Sequence, residues 1–159
     1  MASLPQLLEE DIERLDGELR ELLEKSDAST ALIIDKGGFL ITSQGDTRRF
    51  DITSIAALAS GAYMATQTIA GLVHETDFNS IYQQGEKFSM FVMGVDENCL
   101  LVVIFKAQVS VGAVKYFAGP TAKRIALQLQ IAQERDPGPG LDLSELNLAD
   151  PREVFKRKS

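Results

Sequence analysis

The sequence predicts a single α+β domain followed by a short tail. Three observations carry that expectation. The chain opens on leucines at helical spacing. Two short apolar runs then follow, joined by a glycine turn. Further on, Cys99-Leu-Leu-Val-Val-Ile-Phe105 is apolar throughout, the pattern of a strand buried on both faces. At 159 residues the chain is long enough to close a core without covalent staples.

The elements follow in order. Leu4, Leu8, Ile12, Leu15, Leu19 and Leu22 recur every three or four residues, and Leu7 and Leu23 widen the stripe. This spacing predicts an amphipathic first helix with its acids on a solvated face, ending at Ser26 or Asp27. Gly17 weakens it by roughly 1 kcal/mol relative to alanine without breaking the pattern. Ala31–Ile34 and Phe39–Thr42 read as a hairpin across Asp35-Lys-Gly-Gly38. A second helix opens at Asp51 or Thr53 and runs to about Glu75. It is rich in small residues (Ala56, Ala57, Ala59, Ser60, Gly61, Ala62, Ala65, Ala70, Gly71) and reads as apolar on one side and small on the other. Larger apolar residues recur at Ile52, Ile55, Leu58, Ile69, Leu72 and Val73. Such a helix can bury both sides, with a partner approaching the small face closely. Three strands are expected next: Phe78–Gln83, the weakest, then Phe88–Met93 and Cys99–Phe105. A last helix spans roughly Val111–Gln133. Its apolar members are Ala113, Val114, Phe117, Ala118, Ile125, Leu127, Leu129 and Ile131, and Gly119-Pro120 is expected to kink or split it. Asp136-Pro-Gly-Pro-Gly140 stops the helix. Residues 1–135 are therefore read as the domain and residues 136–159 as a flexible tail, with a short helix starting at Asp150, Pro151 and Glu153.

Charge narrows the function. Sixteen bases against 23 acids give a net −7, which argues against a nucleic-acid partner. The excess is uneven. Residues 1–27 hold nine acids and three bases, residues 28–135 nine of each, and residues 136–159 five acids and four bases. One cysteine forms no internal disulfide, and one histidine with one cysteine is too few for a structural zinc site. No metal or cofactor is expected. The longest apolar run is far short of the ~20 residues of a membrane span, and the early acids Glu9, Glu10 and Asp11 do not suit a signal peptide. A cytoplasmic location without integral membrane association is the expectation.

The residues assemble no active site. His74, the only histidine, reads as a cation in the last turn of the second helix, where the dipole favours it. Cys99 reads as a buried structural thiol. Gly37-Gly38 precedes a strand rather than a helix, and neither it, Gly112 nor Gly119 completes a phosphate-binding fingerprint. Arg48-Arg49 could in principle stabilise charge in a GTPase site, but it reads first as a solvated pair in a polar loop. Lys156-Arg-Lys158 reads as a solubilising end.

Four stretches carry a family resemblance: Ala31-Leu-Ile-Ile-Asp-Lys-Gly-Gly-Phe-Leu-Ile-Thr-Ser43, Asp51-Ile-Thr-Ser-Ile-Ala-Ala-Leu-Ala-Ser-Gly-Ala62, Gln84-Gly-Glu86 and Leu100-Leu-Val-Val-Ile-Phe105. With the order α-β-β-α-β-β-β-α, they resemble the roadblock/dynein light chain family over roughly residues 5–135, and its MglB-like bacterial branch above all. The resemblance implies a five-stranded, mainly antiparallel sheet sandwiched by helices. It implies a homodimer whose second helices pair and whose third strands join two sheets into one, with Phe78, Ile81 and Tyr82 at the junction. It also implies a partner, an MglA-type small Ras-like GTPase whose hydrolysis is stimulated in cell polarity or gliding motility. Carried over by position, the GTPase-binding surface is Ala57, Gly61, Met64, Thr68 and Gly71. The same face could instead be only the dimer seam. Regulators of this branch do not resemble arginine-finger proteins; they reshape the GTPase so that its own residues reach the nucleotide. This weakens the case for Arg48 and Arg49. The basic end Lys156-Arg-Lys158 departs from the acidic tail of the branch. A scaffold that docks a larger complex without stimulating hydrolysis is the alternative to an activator.

Overall fold

The computed structural model describes residues 4–135. Its elements are α1 (Glu9–Ser26), β1 (Thr30–Asp35), β2 (Leu40–Gly45), α2 (Ile52–Leu72), β3 (Ser80–Gln83), β4 (Phe88–Gly94), β5 (Cys99–Lys106) and α3 (Val111–Glu134). The expected order is borne out. The strands form one sheet in the order β2-β1-β5-β4-β3, with every neighbouring pair antiparallel.

The apolar run of β5 becomes the central strand, as its sequence predicts. Its residues alternate between two cores. Cys99, Leu101, Val103 and Phe105 face α1 and α3, while Leu100, Val102 and Ile104 face α2. All seven are buried, because both sheet faces are covered. The acidic first helix thus lies on the face opposite the second helix.

α1 starts later than its leucine stripe. Residues 4–8 are not helical, and Leu8 caps the helix. Pro5 turns Leu4 away from helical geometry. The Asp11 carboxylate accepts the Leu8 N–H at 2.8 Å, so the helix is capped from inside. Leu4 and Leu7 still lean on the core.

The acids of α1 are not all a solvated face. Asp11 is fully buried, accepting from Leu8 N, from Gln128 Nε2 at 2.8 Å and from both terminal nitrogens of Arg135 at 2.8 and 2.9 Å. Glu18 accepts from Arg124 Nε at 2.6 Å, and Asp16 accepts from the Thr42 hydroxyl. Three acids of the most acidic segment therefore tie α1 to α3 and β2. Leucine spacing could not show this, because the partners lie far away in sequence.

Pro120 does not split α3, which runs unbroken from Val111 to Glu134. Proline inside a helix costs about 3 kcal/mol. Here it sits on the exposed side, while Val114, Ala118, Ile125 and Leu129 bury the other side completely. The Thr121 hydroxyl donates to the Phe117 carbonyl at 2.9 Å next to the interruption. Leu127 and Ile131, two of the apolar residues that mark this helix, are exposed. The domain boundary at 135 is not tested by the fold, and the expected tail helix at Asp150, Pro151 and Glu153 lies outside the described residues.

Candidate functional site

Of the two starts expected for α2, Asp51 and Thr53, it is Asp51 that caps the helix. Its carboxylate accepts from the Ser54 N–H at 3.2 Å and the Ser54 hydroxyl at 2.7 Å. The helix ends three residues earlier than expected, at Leu72. Glu75 N–H donates to the Ala70 carbonyl at 2.8 Å and His74 N–H to the Gly71 carbonyl at 3.3 Å, closing the helix. His74 is therefore not in the last turn. It is the left-handed residue just past it, with φ 64°, a place usually taken by glycine.

The small side of α2 is the one that meets the sheet. Ala56, Ala59, Ser60, Tyr63 and Ala70 are buried against it. Leu58 and Leu72, among the larger apolar residues of a helix expected to be able to bury both sides, are 73% and 75% exposed, and Ile69 and Val73 are also exposed. Small residues let the helix lie close to the strands, so shortening the distance decided which side went in. The close approach continues at the hairpin turn. Gly38 has φ +94°, and a Cβ there would come 3.1 Å from Ala57 Cα. The Ser60 hydroxyl donates to the Lys36 carbonyl beside it.

The five positions carried over for the partner surface, Ala57, Gly61, Met64, Thr68 and Gly71, are all exposed on one flank of α2. A Cβ at Gly61 or Gly71 would meet nothing within 4 Å, so the fold of a single chain does not demand glycine there. Leu58, Ala65, Ile69 and Leu72 extend this flank into a broad apolar face. The signal was present: the small residues Ala56, Ala59, Ser60 and Ala70 share a helical side opposite Leu58 and Leu72. The 21 residues of α2 include no charged side chain.

β3 lies at one edge of the sheet and, among the described residues, pairs only with β4. Ile81 leans on the core under α2. Tyr82 stacks on Phe105 with ring centroids 6.1 Å apart and is 38% exposed. Phe78, predicted as the first residue of this strand, precedes it. Its backbone is held by the Gln67 side chain, which donates to its carbonyl at 2.7 Å and accepts from its N–H at 3.2 Å. The Gln67 amide thus replaces a strand partner and keeps Phe78 out of the ladder. Between α2 and the β3–β4 pair lies an open groove of about 310 Å³ lined by Phe50, Ile55, Phe88 and Met90.

Of the Arg48-Arg49 pair, Arg48 is exposed. Arg49 pairs with Asp46 at 3.0 Å and lies 5.5 Å over the Phe88 ring, so it is engaged rather than presented. Cys99 is buried, and desolvation pushes its thiol up to about 12. Among the described residues no group of three histidine, cysteine or acidic side chains could hold a metal ion. No described helix is long and apolar enough to cross a membrane.

The result is a helix-flanked antiparallel sheet with β2 and β3 at its edges, and an uncharged α2 whose outward side is apolar. Residues 15–105 match the Roadblock/LC7 domain, and the chain belongs to that family. Among solved structures it is similar to an MglB with tetrameric arrangement (TM-score 0.77, 27% identity, covering 83% of this chain and 99% of that one). It is also similar to Myxococcus xanthus MglB (TM-score 0.75, 27% identity, 82% and 98%). A third is MglB of Thermus thermophilus, described as a gliding protein (TM-score 0.76, 27% identity, 82% and 99%). No curated protein matches the chain.

Proposed function

We propose that this chain is a homodimeric regulator of an MglA-type, Ras-like small GTPase, without an active site of its own. It raises the partner's GTP hydrolysis in cell polarity or motility. The observation that carries this reading is the uncharged outward face of α2, beside an unpaired β3 edge, on a fold similar to MglB over most of its length. Two copies joined through β3, with Ile81 and Tyr82 at the junction and Phe78 beside it, bring two α2 faces into one platform. Ala57, Gly61, Met64, Thr68 and Gly71 contact the GTPase. The platform binds the GTP form more tightly, because a regulator shifts an equilibrium only by its differential affinity for the two states. It acts on the GTPase's own residues, as the resemblance to the MglB-like branch implies, with Arg49 held by Asp46 and Phe88.

The test mixes the pure full-length chain with an MglA-type GTPase and follows phosphate release. Faster release is expected. Absence of binding in both nucleotide states overturns the proposal, and binding with an unchanged rate makes the chain a scaffold. Replacing Met64 and Thr68 together by arginine is expected to abolish binding and leave the dimer intact. Loss of the dimer instead would make this flank the seam.

A further inference from the structure

α3 carries a second apolar side that the fold leaves uncovered. Tyr116, Pro120, Lys123, Leu127 and Ile131 follow one another at spacings of four, three, four and four, opposite the buried side of Val114, Ala118, Ile125 and Leu129. Tyr116 is 74% exposed and Leu127 58%. Lys123 lies within this stripe and Lys115 at its side, over the Phe91 ring at 5.8 Å, and neither ion-pairs with an acid among the described residues. The surface is therefore apolar with one cation within it and another at its side.

The chain itself supplies a segment of matching chemistry. Residues 136–150 hold four acids (Asp136, Asp142, Glu145, Asp150), no base, and four leucines at 141, 143, 146 and 148. This segment leaves from the same helix, one turn beyond Ile131. Its point of departure is fixed, because both terminal nitrogens of Arg135 are held by the buried Asp11 carboxylate. Pro137 and Pro139 lack the N–H that would prolong α3, and Gly138 and Gly140 accept the backbone angles of a reversal. The stripe from Tyr116 to Ile131 is roughly 22 Å long at 1.5 Å per helical residue, and ten residues reach at most roughly 33–36 Å. The segment can thus cover the stripe without strain.

We propose that residues Leu141–Asp150 fold back onto the outward face of α3 of the same chain. The leucines cover Tyr116, Leu127 and Ile131, and Asp142 and Glu145 face Lys115 and Lys123. This places the tail on the sheet face opposite α2, clear of the proposed GTPase platform.

Amide hydrogen exchange on the full-length protein tests this. Residues 141–150 are expected to exchange about ten-fold more slowly than in a free peptide of that sequence. The protection should survive ten-fold dilution and should disappear in the Leu127→Asp, Ile131→Asp double variant, whose altered side chains are exposed and leave the melting curve in place. Lys115→Glu with Lys123→Glu should weaken it, and Asp142→Lys with Glu145→Lys added to that variant should restore it. Exchange at the free-peptide rate in the unmodified protein overturns the proposal. So does protection lost on dilution, which would mean that a second copy covers α3, or protection that persists in the Leu127→Asp, Ile131→Asp variant, which would place the tail elsewhere.

Discussion

Asp11 has no contact with water, although the helix it belongs to is the most acidic part of the chain. The Arg135 guanidinium is the main cause that holds its carboxyl well below the usual carboxylate range, aided by the Leu8 N–H and the Gln128 amide. Because the folded state lowers this value, the ionised carboxylate contributes its stability above the ordinary value of 3.8 and loses it as pH falls below that. The native protein should therefore be more stable than Asp11→Asn at neutral pH. That advantage should shrink steadily below about pH 4, in acid titrations followed by circular dichroism. At neutral pH, Asp11→Ala is expected to cost about 2–3 kcal/mol in urea unfolding, since it leaves buried donors unmatched. Cys99 makes a second residue-scale prediction. Its thiol, buried and pushed up to about 12, should resist alkylation at about pH 8 in the folded protein and react fully once urea unfolds it.

Among the elements, α2 shows how a short distance selects a helical side. Alanines at 56, 59 and 70 admit the helix to the sheet, and the larger Leu58, Ile69 and Leu72 are left outside. Gly38 is part of the same approach. Gly38→Ala would strain a backbone at φ +94° and push a methyl against Ala57, and a loss of about 1–3 kcal/mol in thermal or urea unfolding is expected. Gly17 in α1 is the contrasting case. A Cβ there would meet only the end of Arg20, at 3.9 Å, so Gly17→Ala should stabilise the protein by about 0.5–1 kcal/mol, read as a rise of roughly 2–4 °C in Tm. α3 shows that proline need not divide a helix when its ring faces solvent and the opposite side is fully packed.

For the whole molecule, charge and proposed work are separated. The acids of α1 are on one face of the sheet and the uncharged α2 on the other. Binding of a GTPase on α2 should therefore rest on apolar packing, with affinity changing little between about 0.05 and 0.5 M salt. A steep loss with salt, measured by calorimetry, would move the contact away from this face. Joining of two copies through β3 is expected to give a sedimenting mass of twice 17.4 kDa.

The sequence by itself determined the order of elements and the strand that would be central. Seven consecutive apolar residues at 99–105 have no second environment in a chain of this size. It also determined the hairpin, a start of α2 at Asp51 or Thr53 and the burial of Cys99, because each depends on neighbours within a few residues. The side of α2 that turns inward, the exposure of Leu127 and Ile131, the start of β3 at Ser80 and the burial of Asp11 were decided only by tertiary structure. Each depends on a partner distant along the chain: the strands beneath α2, the α1–α3 contact, Gln67 holding Phe78, and Arg135 reaching Asp11 across 124 positions. Periodicity reports which residues share a side of an element. Which of two apolar sides is covered depends on distances between elements, and those exist only in the folded chain.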